Sequence, residues 1–156
     1  TLAQNASLAL SQVVLNSAEF ANLSQTTLLK AGTLNRLIVL GSGSTLAYGK
    51  LVHLKDNGSG KITAVLADAT DNTKPAHGVV IAPSGIAVGA FGEVMLCTGL
   101  TTSISGSTIG TQYYLSTAGN VQSARPSAAG SIIQGVGFGL GSLGFHLSIS
   151  SLFIQN

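Results

Sequence analysis

This chain of 156 residues is short of charge. Only 8% of its residues are Asp, Glu, Lys or Arg, against about 25% in an ordinary soluble domain. Seven cations and five anions leave a net charge of +2, and the five lysines, Lys30, Lys50, Lys55, Lys61 and Lys74, stand singly. Nucleic-acid binding needs clustered cations to neutralise phosphates, so no nucleic-acid partner is expected. Tryptophan is absent and aromatics make up 5% of the chain, which argues against a sugar-binding face built on aromatic platforms. Cys97 is the single cysteine, which excludes an intramolecular disulfide and a cysteine metal cluster. It lies in the apolar run Val94–Cys97 and reads as a small buried hydrophobe. No run of 18 apolar residues exists, so no membrane-spanning helix is expected. Glycine does not recur at every third position, which excludes a collagen helix.

Small polar residues replace the missing charge: 20 Gly, 19 Ser and 14 Thr. Apolar residues still reach 45%, enough for a core and too many for a disordered chain. From Pro75 to Asn156 only Glu93 and Arg125 are charged, and from Thr1 to Leu29 only Glu19. A small soluble monomer normally carries a charged surface. A surface without one points to coverage by partner subunits.

Residues 1–31 contain neither Gly nor Pro and read as an N-terminal arm, with residues 32–156 as a β-domain. Leu2, Ala6, Leu10, Val14, Ala18 and Ala21 follow helical spacing, whereas Leu8/Leu10 and Val13/Leu15 suit strands. Leu8, Leu10, Val13, Val14 and Leu15 are the candidate anchoring residues of this arm. Beyond Gly32 the signals are strand and turn. Strands are expected at Leu37–Leu40, Lys50–Lys55, Ile62–Leu66, Gly78–Ala82, Gly92–Thr98 and Gln112–Ser116. Asn57-Gly58 between two of them predicts a hairpin. Short strands with turns every 8–12 residues predict an all-β fold, a compact antiparallel barrel or sandwich.

The C-terminal stretch predicts a glycine-rich hairpin. Val136, Phe138 and Leu140 alternate with glycines, and Leu143, Phe145, Leu147 and Ile149 alternate with Gly144, His146, Ser148 and Ser150. A two-residue type II′ turn at Gly141-Ser142 would set Leu140 opposite Leu143, Phe138 opposite Phe145 and Val136 opposite Leu147. One face would then be apolar and the other bare glycine. Such bareness suits either close approach of another backbone or a tight interior.

Catalytic patterns are sparse. Gly139-Leu140-Gly141-Ser142-Leu143-Gly144 spells G-x-G-x-x-G, yet a strand rather than a helix should follow it, so it reads as a turn. The three histidines, His53, His77 and His146, are 24 and 69 residues apart and form no short-range ligand pair. Asp68 and Asp71 lack the spacing of a calcium loop. An enzyme would need Asp56, Asp68, Asp71, His53 and His77 to converge on a cleft. No catalytic residue, cofactor or metal ligand is assigned, and the chain is read as a non-enzyme.

One sequence pattern is familiar. Gly110-Thr111-Gln112-Tyr113-Tyr114-Leu115-Ser116, then Gly119, Pro126, Gly130 and Ile133-Gln134-Gly135-Val136-Gly137, resembles a β-module of tailed-bacteriophage virion proteins. The likeness covers about residues 90–150, with a weaker match near Tyr48 and Gly49–Leu54. Ala or another small residue is usual where Phe138 and Gly139 lie, the glycine-rich hairpin is a departure from the pattern, and residues 1–31 lie outside it. The resemblance implies a trimeric, non-catalytic module of capsid decoration (cement), head-fibre or tail-fibre proteins. It therefore implies a virion location on the outer surface of the phage head, with the major capsid protein and further copies of the chain as partners. The alternative it leaves open is a head- or tail-fibre component with host-surface binding.

Overall fold

A computed structural model describes residues 36–96 and 98–155. The arm, 1–31, with Leu8, Leu10, Val13, Val14 and Leu15, lies outside the described residues, as does Cys97. The remainder is all-β. Five strands, β1 (Arg36–Gly41), β2 (Leu51–Asp56), β3 (Ile62–Leu66), β4 (Gly78–Val80) and β5 (Phe91–Leu96), close a barrel in the order β1-β3-β2-β4-β5. Pairing is antiparallel except between β1 and β3, which run parallel where the barrel closes. A second sheet has the order β6-β11-β10-β7-β8, from β6 (Thr98–Thr101), β7 (Gln112–Leu115), β8 (Val121–Gln122), β10 (Gly135–Gly139) and β11 (Phe145–Ser148). The short strands β9 (Ile132–Ile133) and β12 (Ile154–Gln155) form a ribbon.

The apolar doublets Leu51-Val52, Val79-Val80 and Val94-Met95 explain how the layers join. Successive strand residues point to opposite faces. Val52, Val80 and Val94 fill the barrel with Leu37, Val39, Leu46, Ala64 and Ile86. Leu51, Val79 and Met95 point outward, where they pack with Leu115, Val136, Phe145 and Leu147 of the second sheet. At these doublets β2, β4 and β5 are thus buried on both faces, which is why two successive residues are apolar there.

The loop 67–77 joins barrel to second sheet by main-chain bonds. Ala69 N–H donates to Ser116 O (3.1 Å), Gly119 N–H to Ala67 O (2.7 Å) and Ile132 N–H to Ala69 O (2.7 Å). Gln134 completes the joint. Its buried amide oxygen accepts from Ala76 N–H (2.7 Å), and its amide nitrogen donates to Ala76 O (3.0 Å) and Ser150 O (2.9 Å).

The expected strands form, and Asn57-Gly58 lies in the β2–β3 hairpin, where Asp56 pairs with Ile62. The C-terminal hairpin also forms, but its expected register and turn are both wrong. Gly139 lies opposite Phe145, Phe138 opposite His146 and Gly137 opposite Leu147, one residue away from the expected pairing. Leu140–Gly144 make the connection, with a 3-10 turn at Gly141–Leu143 in place of the two-residue turn. Gly144, at φ +111°, allows this longer path. A one-residue slip exchanges faces. Phe145 and Leu147 therefore share the inner face with Gly137 and Gly139. The bare glycine face is the packed one: a Cβ on Gly139 would sit 2.2 Å from Thr108 O, and one on Gly137 2.1 Å from His146 O and 2.6 Å from the Phe145 ring. A bulge against β7 between Gly135 and Gly137 turns Val136 inward while leaving Phe138 outside, so these two do not share a face as expected.

Candidate functional site

The residues that an enzyme would have to gather are mostly occupied in holding turns. Asp56 accepts from Gly58 N–H (2.9 Å) in the β2–β3 turn. Asp68 and Asp71 head two consecutive Asp-x-Thr turns. Asp68 accepts from Thr70 N–H (2.9 Å) and Thr70 Oγ1 (2.7 Å), and Asp71 from Thr73 N–H (3.0 Å) and Thr73 Oγ1 (2.6 Å). Lys74 pairs with Asp71 at 2.8 Å. The Lys74 ammonium and the Thr73 bonds hold the Asp71 carboxyl far below the usual carboxylate range, and Asp71 in turn raises Lys74. Burial pushes Asp68 upward, but the Thr70 bonds and the Ala118 N–H (3.2 Å) outweigh it, so Asp68 is also lowered. Ala118 takes a left-handed conformation (φ 51°) at the end of that bond.

His53 and His77 do meet. The β2–β4 register pairs Val52 with Gly78, and its next step places His53 beside His77, ring centroids 4.6 Å apart. His53 Nδ1 lies 3.0 Å from Pro75 O, and His77 Nδ1 accepts from Leu54 N–H at 3.0 Å. An imidazole that accepts at Nδ1 keeps its proton on Nε2. His77 is therefore neutral, with Nδ1 committed to the main chain of β2. Among the described residues no three His, Cys, Asp or Glu side chains converge. His146 stands elsewhere, on the outer face of the second sheet, stacked on Phe138 at 4.7 Å.

Burial, and then the facing His53, push His77 below the usual imidazole value. The folded protein thus holds a neutral imidazole that the unfolded chain protonates below about pH 6.5. Because the unfolded state then binds more protons, stability falls with pH from about 6.5 downward. Denaturant midpoints measured at several pH values between about 7.5 and 5 should fall for the parent protein and flatten in His77→Gln. An equally steep decline in the variant would remove His77 as the cause.

Two clefts flank the 67–77 loop. One, of about 380 Å³, is lined by Ser42, Ser44, Lys55, Asp68, Lys74 and Ala118 among others. Its Lys74 is already neutralised by Asp71, and Asp68 offsets Lys55. The other, of about 320 Å³, lies between Thr70, Ser116-Thr117 and the 124–131 segment, and includes Arg125 and Ser131. Neither cleft contains the histidine pair.

The largest departure from an ordinary surface is apolar. Leu100, His146 and Phe138 form one cross-strand row over β6, β11 and β10 on the outer face of the second sheet. Leu100 is 72% exposed, and beyond the row Ile109 (75%) and Leu143 (79%) are equally open. Ile109 bridges to Gly139 and lies over Gly141. No strand from β6 to β12 carries a charged side chain. Sequence reading missed this face because it placed Phe138 and Leu143 on one apolar hairpin face with Phe145 and Leu147. No family model matches the chain, no curated protein matches its sequence, and no solved structure matches its fold.

Proposed function

We propose that this chain is a structural virion protein, a bacteriophage capsid cement or decoration protein that binds the outside of the head shell as an oligomer and stabilises it. The observation that carries the reading is the apolar exposure of the second sheet: Leu100 and Phe138 in its cross-strand row, and Ile109 and Leu143 in its connections, are open to solvent, and none of its strands carries a charged side chain. Contiguous exposed apolar surface marks association sites. The titratable residues support it too, since Asp56, Asp68, Asp71 and the histidine pair hold turns and strands rather than a shared cleft. The virion context comes from the resemblance of the Gly110–Gly137 stretch to the phage β-module. Its partners on this reading are the major capsid protein and further copies of the chain, as a homotrimer. A protein that binds only the assembled shell stabilises it by mass action.

Copy number per purified particle, by quantitative mass spectrometry against the major capsid protein, tests the role. A number comparable to that of the shell protein is expected. A few copies would sink the cement reading in favour of a head- or tail-fibre component, a role that the open clefts beside the 67–77 loop would suit. The association itself is tested with the double variant Leu100→Lys, Leu143→Lys. Both side chains are exposed, so the fold should persist, while charges buried unpaired at an interface cost several kcal/mol, roughly 3–5. Light scattering should show an oligomer for the parent chain and a monomer for the variant. A parent that is monomeric, or a variant of unchanged mass, would remove this face as an association surface.

A further inference from the structure

We propose that Asn57 is a site of spontaneous deamidation, in which the main-chain nitrogen of Gly58 attacks the Asn57 side-chain amide and Asp56 acts as the base. This reading does not depend on the cement role.

The β2–β3 turn surrounds that amide with the groups the reaction needs. The nucleophile is the Gly58 nitrogen, whose N–H donates to Asp56 Oδ1 at 2.9 Å. A carboxylate within hydrogen-bond reach of the proton to be moved has the geometry of a general base. The electrophile is Asn57 Cγ, whose oxygen accepts from Ser59 N–H (2.9 Å) and Lys61 N–H (3.3 Å). Main-chain donors there stabilise the negative charge that gathers on the oxygen as the carbon becomes tetrahedral. They also settle which side-chain atom is the oxygen, because an amide nitrogen cannot accept. Asn57 N–H donates to Lys61 O (3.2 Å), and Asp56 pairs with Ile62, so the strands hold base, nucleophile and donors in place. Residues 55–61 are all exposed, and a Cβ on Gly58 would meet nothing within 4 Å, so water reaches the site.

Two other asparagines show what is particular to this turn. Asn72 also follows an aspartate that accepts from the next N–H, since Thr73 N–H donates to Asp71. There the attacking residue is β-branched, and Lys74 and the Thr73 hydroxyl already hold the Asp71 carboxylate. Asn120 accepts from Lys50, its amide nitrogen is tied to Thr117 O (3.0 Å), and β-branched Val121 follows it.

In the reaction the Gly58 N–Cγ bond forms and the Cγ–Nδ2 bond breaks. The Gly58 proton passes through Asp56 to the leaving nitrogen, which departs as ammonia. Water then opens the cyclic imide at either carbonyl, leaving an aspartyl or an isoaspartyl residue in place of Asn57. The first sets a second carboxylate beside Asp56, and the second adds a methylene to the main chain of the turn.

Time-resolved peptide mapping by mass spectrometry, on the full chain held at neutral pH, tests the proposal. Asn57 should convert to the two products while Asn72 and Asn120 keep their amides. Asp56→Ser should slow the conversion about tenfold, on the low side of the roughly 100-fold or more that a well-matched base supplies. A serine hydroxyl can still accept from Gly58 N–H, so the turn persists in this variant. In urea, which removes the turn, parent and variant should convert at the same rate. The proposal fails if Asn57 keeps its amide as long as Asn72 and Asn120 do, or if Asp56→Ser converts as fast as the parent in the folded chain. It fails too if the variant is equally slow relative to the parent in urea, which would make the effect one of local sequence rather than of the turn.

Discussion

Phe145→Ala is expected to cost about 3–5 kcal/mol of folding stability, whereas Phe138→Ala, on the neighbouring strand, should cost less than about 1.5 kcal/mol. Phe145 is fully buried between the barrel and the second sheet, with Tyr113 edge-on at 5.6 Å. Its loss leaves a cavity lined by Leu51, Val79, Met95 and Leu147, side chains of both layers that cannot collapse without moving a sheet. Phe138 is 37% exposed and touches mainly the His146 ring. Losing it removes one stacked pair and creates no cavity. Urea denaturation of both variants in the Leu100→Lys, Leu143→Lys background keeps association out of the comparison. The expected result is a large loss for Phe145 beside a small one for Phe138. Equal losses would restore the pairing of Phe138 with Phe145 and refute the register described for β10 and β11.

Gln134→Leu should also be severe, at about 2–4 kcal/mol, because each buried group left without a partner costs roughly 1–3 kcal/mol. Leucine nearly preserves the volume, so the loss reports hydrogen bonding rather than packing. Three main-chain groups lose their partner together: Ala76 N–H, Ala76 O and Ser150 O. Ala76 leads into β4 of the barrel, and Ser150 follows β11 of the second sheet. The substitution therefore cuts a connection between layers that otherwise rests on apolar contact and the main-chain bonds of the 67–77 loop. Faster hydrogen exchange at Ala76 should accompany the lower denaturation midpoint. A loss below about 1 kcal/mol, within the range of an ordinary surface change, would mean that water takes over the three bonds and that Gln134 is not the joint.

The glycine-rich hairpin shows why strand content was easier to read than strand register. Val136, Phe138, Phe145 and Leu147 alternate with small residues, so two strands were legible. The turn between them was not. Gly141-Ser142 satisfies a two-residue turn locally, and a five-residue path through Gly141 and Gly144 satisfies it too. Contacts far away in the chain chose between the two. The slipped register places the Phe145 ring against Gly137 and the Ser107-Thr108 segment against Gly139, where any Cβ would collide. Glycine on that face therefore marks close packing, a meaning that period-two alternation does not carry. The parallel β1–β3 pair was hidden for a similar reason, because only adjacent strands announce their pairing through a turn.

Sequence alone determined the all-β class, the places of the principal strands, the β2–β3 hairpin, and the scarcity of charge beyond Pro75. Those properties are local: apolar runs of four to six residues between Gly, Asn and Ser turns, and a composition that can be counted. Tertiary structure alone decided that Leu51-Val52 and Val94-Met95 each divide between two cores. It also brought His53 to His77, set Gln134 between the layers, assembled the Arg125 and Ser131 cleft from separate loops, and turned Phe138 outward beside Leu100. Each of these is a meeting of residues distant in the chain. It follows from which sheet faces bury together, and that is settled by the packing of the whole domain rather than by any one segment.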